Sequence, residues 1–150
     1  MGLTIGSLHV RRSILCEVPP ARVWHEFESF ERISAWLNLG HALHTFEPRV
    51  GGKVRMSVEI GGERRHYGGV VLIVDSEREV SFESQWDAPH AWAVPTFWTI
   101  RLTPHYSATM VEIFHHGFER LGVDAADSLQ GFEDGWDIKH LKALRAIAES

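Results

Sequence analysis

A single cysteine, Cys16, rules out an intrachain disulfide, so the fold has to be held by packing, as in a reducing compartment. No segment approaches the ~20 apolar residues of a membrane span, and none is expected to cross a bilayer. The basic residues are scattered through a chain of formal net charge −5, leaving no cationic stripe for the phosphates of nucleic acid. The first residues lack a basic stretch ahead of an apolar one, which reads as an unexported, cytoplasmic protein. Internal repeats, low-complexity tracts and interdomain linkers are also missing. So are a Gly-x-Ser-x-Gly elbow, a phosphate loop and a dinucleotide fingerprint, and no cofactor is expected.

What remains is a chain of 150 residues, 44% hydrophobic and 23% charged, which is the size and balance of one globular core. A single domain over residues 1–150 is the expectation. Cys16, within an apolar run, reads as a buried, inert thiol. Ten histidines are more than usual, and most are expected to titrate near neutrality, so that net charge approaches zero, and solubility falls, near pH 6.

The pattern along the chain is strand, two short helices, many strands and one long helix. Leu8 to Val18 reads as a strand ended by Pro19-Pro20, whose fixed φ suits the first turn of a helix carrying Val23, Trp24 and Phe27. Ser29 is a candidate N-cap for a second helix presenting Ile33, Trp36 and Leu37. The period then drops to two, in runs over Leu43–Glu47, Lys53–Ile60, Arg64–Asp75, Glu79–Trp86, Thr96–Thr103 and Ala108–Gly117. Gly61-Gly62 is a two-residue hairpin signal. From Ala125 to Ala148 one long helix is expected, with Leu129, Phe132, Trp136, Ala143, Leu144 and Ile147 forming a stripe that only the sheet can bury. The class is α+β: a curved antiparallel sheet of six to seven strands gripping a C-terminal helix.

Several stretches resemble a known family in their order and spacing. They are Pro20-Ala21-Arg22-Val23-Trp24, Ala35-Trp36-Leu37, Phe46 to Arg55, His115-His116-Gly117-Phe118, and Gly135-Trp136 with Leu141 and Leu144. The chain is similar, from about Val10 to Ala148, to the START-like or birch-pollen-allergen-like (SRPBCC) superfamily. Within that superfamily it resembles the branch of the activator of the 90-kilodalton heat-shock-protein ATPase. The resemblance implies a helix-grip fold with a cavity between sheet and C-terminal helix, a place where relatives hold apolar molecules. Two departures stand out. Leu37 follows Trp36 where members often carry a second bulky aromatic, and Gln85 to Val94 is rich in aromatics for a connection.

Candidate cavity-lining residues are Trp36, Met56, Trp86, Trp98, Val111, Ile113, His115, Phe132 and Trp136, with His90 and Trp92 at a rim or lid. Trp98 reads equally as core. Trp136 is favoured because Gly135 beside it removes a side chain from the helix surface. His115 shares a strand face with Val111 and Ile113, either as a satisfied core histidine or as an anchor for a ligand's hydroxyl or carbonyl. His116 points the other way, and His41 and His44 fall on opposite faces, so no metal site is expected. Glu83 with His66, and His90 with Asp87, are conceivable acid–base pairs.

Three functions compete. The leading one is non-catalytic binding of a small apolar or aromatic molecule. The second is cyclase- or hydrolase-like catalysis in the same cavity by His115 or His66, for which two polar groups converging inside the pocket would speak. The third is a protein-interaction module, co-chaperone-like or homodimeric, through Phe97, Met110 and Phe114 on the outer face.

Overall fold

Proline ends the first strand and starts the first helix. In a computed structural model that describes residues 2–135 and 138–150, β1 (His9–Cys16) leads to an extended Pro19, and α1 (Pro20–Trp24) begins with Pro20 in its first turn, where a missing N–H costs no hydrogen bond. A 3-10 turn (His25–Phe27) connects to α2 (Phe30–Leu37), and the N-cap Ser29 hydroxyl accepts from Arg32 N at 3.2 Å. Trp36 is fully buried in this hairpin, tilted on Phe27, and its Nε1 donates to Glu26 O at 3.1 Å. The Glu26 carboxylate is itself buried, 2.6 Å from Arg22 and 3.4 Å from Arg32, while Arg22 also donates to Ile147 O near the C-terminus.

Six more strands follow: β2 (Ala42–Phe46), β3 (Lys53–Ile60), β4 (Glu63–Asp75), β5 (Glu79–Trp86), β6 (Thr96–His105) and β7 (Ala108–His116). All pairings are antiparallel, in the order β1-β7-β6-β5-β4-β3-β2, which leaves β1 and β2 as the edges of one curved sheet. Gly61 and Gly62 both take positive φ, 59° and 80°, as the tight turn between β3 and β4 requires. In mid-strand, Gly68 has no room for a side chain, since a Cβ there would run into the Val54 carbonyl oxygen.

The C-terminal pattern folds as two described helices rather than one, α3 (Ala125–Gly135) and α4 (Lys139–Ala148). Ile138 caps α4 at φ −105° and ψ 14°, outside helical geometry. Trp136 lies outside the described residues. α4 places Leu141, Leu144 and Ala148 in one buried cluster with Ile100, Leu102, Val111 and Ile113 from the sheet and Trp36 and Leu37 from α2. That packing explains why apolar residues at every second strand position meet a helical stripe. Among the described residues no helix is long and apolar enough to cross a membrane.

The outer face of β5 to β7 is not an apolar patch. Phe114 is buried, with Arg101 over its ring at 5.7 Å, and the half-buried Phe97 is capped by Arg120 at 4.9 Å. Residues 2–8 reach across this face: Leu3 N donates to Glu79 Oε2 at 3.2 Å, and Arg101 donates to both Leu3 O and Glu79. Beneath lies a buried polar row. Ser81 Oγ donates to the Glu79 carboxylate at 2.9 Å and meets Thr99 Oγ1 at 2.9 Å, which meets His116 Nε2 at 2.7 Å. A carboxylate only accepts, so the row has one direction: His116 Nε2–H to Thr99, Thr99 to Ser81, Ser81 to Glu79.

Three of the ten histidines, His41, His115 and His116, are moved away from neutrality by the fold. Burial pushes His116 down to about 4, with Arg101 adding to the effect. Burial likewise takes His41 to about 4 and His115 well below its ordinary range. Between pH 6.5 and about 4 the unfolded chain therefore takes up protons that the fold refuses, so stability is complete above 6.5 and declines as pH falls toward 4. Calorimetry should show Tm falling across this window, with a shallower slope in His116→Gln. In the helical hairpin, Glu26→Ala should lower stability by about 1–3 kcal/mol in urea denaturation, because it strands the arginines and a buried site.

Candidate functional site

Between α3 and residues of β3, β4 and β5 the two layers do not close. A cavity of about 460 Å³ remains, walled by Val58, Ile60, Tyr67 and Trp86 from the strands, Trp92 from the following connection, and Gly131 and Phe132 from α3. Gly40 and His41, just before β2, and Lys139 and His140, at the start of α4, complete it, with Asp127 and Ser128 at the first turn of α3. A wider groove of about 740 Å³ runs along the turn from Asp75 to Glu79, but it is polar and its Arg101 is engaged by Glu79. The aromatic cavity is the candidate site.

Its rings form a connected set. Tyr67 tilts on Trp86 at 4.9 Å, Trp86 meets Trp92 edge-on at 6.2 Å, and Trp92 meets Phe132 edge-on at 5.9 Å. Such edge contacts hold flat rings at defined angles. Trp92 owes its position to Gln85, whose side-chain amide donates to Trp92 O at 3.0 Å and accepts from Trp92 N at 2.9 Å, imitating a strand partner within the connection. The same segment is fastened by Arg55 to Asp87 and by Asp87 N to His66 O. His90 turns to Glu63, 3.0 Å away, and does not line the cavity.

The polar floor is a pair. Tyr67 Oη lies 2.6 Å from His41 Nδ1. Burial raises the Tyr67 phenol above its ordinary 10, and it depresses His41, followed in effect by His140 and Lys139. Both groups are therefore neutral near pH 7, and one proton bridges them, given by the phenol to Nδ1 or by Nδ1–H to the phenol oxygen according to the imidazole tautomer. His140 stacks on His41 at 5.6 Å and donates from Nε2 to Leu39 O at 2.5 Å.

Of the residues singled out from sequence, Trp86, Trp92 and Phe132 line this cavity. Trp36, Met56, Trp98, Val111 and Ile113 are instead buried in the main core, because α1, α2 and α4 already cover that part of the sheet. His115 points inward but sits behind the cavity wall, with Phe132 at 4.4 Å and Phe118 at 4.7 Å. Its Nε2 lies 2.8 Å from Thr96 Oγ1, whose hydroxyl donates to Ser84 O, so His115 is the donor of that bond. The suggested pairs do not form: His66 stands against His44 at 5.8 Å, and Asp87 is taken by Arg55. Among the described residues no cluster of metal-ligating side chains occurs.

Tyr67, His41, Gly131 and His140 were not singled out as cavity residues. A usable signal for Tyr67 was the Gly68-Gly69 pair after it, since glycine inside a strand marks close backbone approach. Gly131 was legible too: at mid-helix it costs about 1 kcal/mol relative to Ala, and a Cβ built on it meets nothing within 4 Å. It opens the cavity one turn before Gly135, the glycine first assigned that role.

Residues 17–149 match the family model described as Activator of Hsp90 ATPase homolog 1-like protein. Among solved structures, the fold is similar to protein NE0264 from Nitrosomonas europaea, with 16% identity over 98% of each chain and a TM-score of 0.71. It is also similar to protein CV1439 from Chromobacterium violaceum, with 20% identity over 97% of this chain and 99% of that one and a TM-score of 0.68. A third likeness is to DynU16, a protein of the dynemicin biosynthetic locus, with 19% identity over 97% of this chain and 48% of that one and a TM-score of 0.66. No curated protein matches the chain.

Because the Gly131 site is helical and open, Gly131→Ala should raise stability by about 0.4–1 kcal/mol, measured by urea denaturation.

Proposed function

The chain belongs to the Activator of Hsp90 ATPase homolog 1-like protein family, and we propose that this member binds a small apolar or aromatic molecule, without converting it, in the cavity between α3 and the ends of β3 to β5. The carrying observation is the cavity itself: about 460 Å³ walled mainly by aromatic and aliphatic side chains, with polar atoms confined to a few points. This is the size and lining of small-molecule sites, where apolar walls supply affinity and sparse polar groups orient the ligand.

The second reading, catalysis, has one observation in its favour, the convergence of Tyr67 and His41 at 2.6 Å. Electrostatics weigh against it. A base that takes its proton near pH 4 and an acid shifted above the ordinary phenol range are both poorly matched to proton transfer at neutrality, where catalytic groups need values near 7. A neutral, hydrogen-bonded pair with polar atoms left on the cavity lining is instead suited to orienting a bound molecule. The outer-face interaction reading loses its apolar patch, since Phe114 is buried and Arg120 covers Phe97.

Titration with the neutral fluorophore N-phenyl-1-naphthylamine tests the binding reading. Saturable binding at one site is expected, with Trp86 and Trp92 acting as energy donors. Gly131→Leu, which projects a side chain into the cavity, should weaken it by about tenfold or more. Binding that is absent in the wild type, or unchanged in Gly131→Leu with its fold confirmed by circular dichroism, would refute the proposal.

A further inference from the structure

One wall of the cavity is held by a side chain that lies outside it. Of the phenylalanine, tyrosine and tryptophan rings lining the cavity among the described residues, Trp92 alone belongs to neither a strand nor a helix, and it joins Trp86 of the sheet to Phe132 of α3. Its connection is fastened at Asp87 by Arg55, at His90 by Glu63, and at Pro95 O, which accepts from Arg120 at 3.1 Å. Between His90 and Pro95 the hydrogen bonds found among the described residues are those to Gln85. Its Nε2 donates to Trp92 O at 3.0 Å, and its Oε1 accepts from Trp92 N at 2.9 Å and from Trp86 N at 3.0 Å. Main-chain N–H groups facing the amide oxygen and a carbonyl facing the amide nitrogen admit a single orientation of that amide. The side chain therefore ties the Trp92 main chain to the strand end that carries Trp86, whose place opposite Tyr67 is set by the β4–β5 ladder. Gln85 itself does not line the cavity.

We infer, resting on the binding reading above, that Gln85 is a positioning residue, setting the affinity of the cavity through Trp92 without touching the ligand. A wall fixed before the ligand arrives leaves little to be ordered on binding, whereas a Trp92 released from its clamp has to be ordered by the ligand at the expense of affinity. Ring contacts do not replace the clamp. The edge contacts of Trp92 with Trp86, Phe118 and Phe132, at 6.2, 6.4 and 5.9 Å, constrain the indole and not the main chain that carries it. Without Gln85 the Trp92 N–H and carbonyl turn to water, and the middle of the connection is free to take other conformations.

A double-mutant cycle on the intact protein, read by titration with N-phenyl-1-naphthylamine, tests the role of Gln85. Gln85→Met keeps the length of the side chain and removes its hydrogen bonds to Trp86 and Trp92, and it should weaken binding about five- to tenfold. Trp92→Ala should weaken it at least as much, and Gln85→Met added to Trp92→Ala should change affinity by less than about twofold, as a residue acting only through Trp92 requires. Gln85→Glu keeps the acceptor and loses the donor; it should show the same dependence on Trp92 and serves if Gln85→Met does not fold. In the ligand-free protein, the near-ultraviolet circular dichroism that Trp92→Ala removes should be largely lost in Gln85→Met as well, since it requires an indole held at a fixed angle to its neighbours. Wild-type affinity in Gln85→Met, an equal loss with and without Trp92, or an undiminished Trp92 dichroism would each overturn the inference and leave a binding cavity in place. Absence of probe binding in the wild type would overturn the binding reading and this inference with it.

Discussion

A sheet of seven strands has more inward surface than its helices can cover, and the rest of the molecule follows from that mismatch. At about 4.8 Å between strands the sheet is roughly 29 Å wide, whereas the ten residues of α4 span about 15 Å. α4 spends its apolar face on the core it shares with Val111, Ile113 and Leu102, beside β1, and α2 adds Trp36 and Leu37 to the same core. α3 faces Val58, Ile60, Tyr67 and Trp86 of β3 to β5 across the remaining space, and Gly131 brings no side chain to that lining. The cavity is the space left over. Its walls are aromatic because rings bury large areas at low entropic cost and hold a shape without filling every gap.

Polar chemistry is separated onto the two faces of the sheet in opposite fashion. On the outer face a directed row from His116 through Thr99 and Ser81 ends on the Glu79 carboxylate, which Arg101 and the backbone of Leu3 hold in place. That row is satisfied internally and ties residues 2–8 to the sheet, so it has a structural use. On the inner face Tyr67 and His41 satisfy each other only in part and meet open space. Burial holds His116 on one face and His41 on the other below the ordinary histidine range.

The fold was largely legible because its signals are local. Period-two runs mark the strands, Pro19-Pro20 and Ser29 mark helix starts, and Gly61-Gly62 marks a hairpin. The division of residues 125–148 into two helices was not legible, because the non-helical backbone at Ile138 falls off the apolar stripe and leaves no gap in it. The candidate site was legible only in part. Trp86, Trp92 and Phe132 belong to it, but inwardness on a strand says which face a side chain takes and not whether a helix already covers it. Val111, Ile113 and Met56 face inward and are core, since α4 and neighbouring strands fill the space above them. Tyr67 and His41 are 26 residues apart and meet only after β2, β3 and β4 have paired, a contact that no local pattern encodes.

The central claim is one of place, that a ligand sits under α3 against the ends of β3 to β5 and not under α4. Isotope-filtered NMR measures this directly through cross-relaxation between an unlabelled bound aromatic probe and labelled methyl groups of the protein. The account predicts contacts to the methyls of Val58 and Ile60 and none to those of Val111 and Ile113. Contacts to Val111 and Ile113 without Val58 and Ile60 would contradict it.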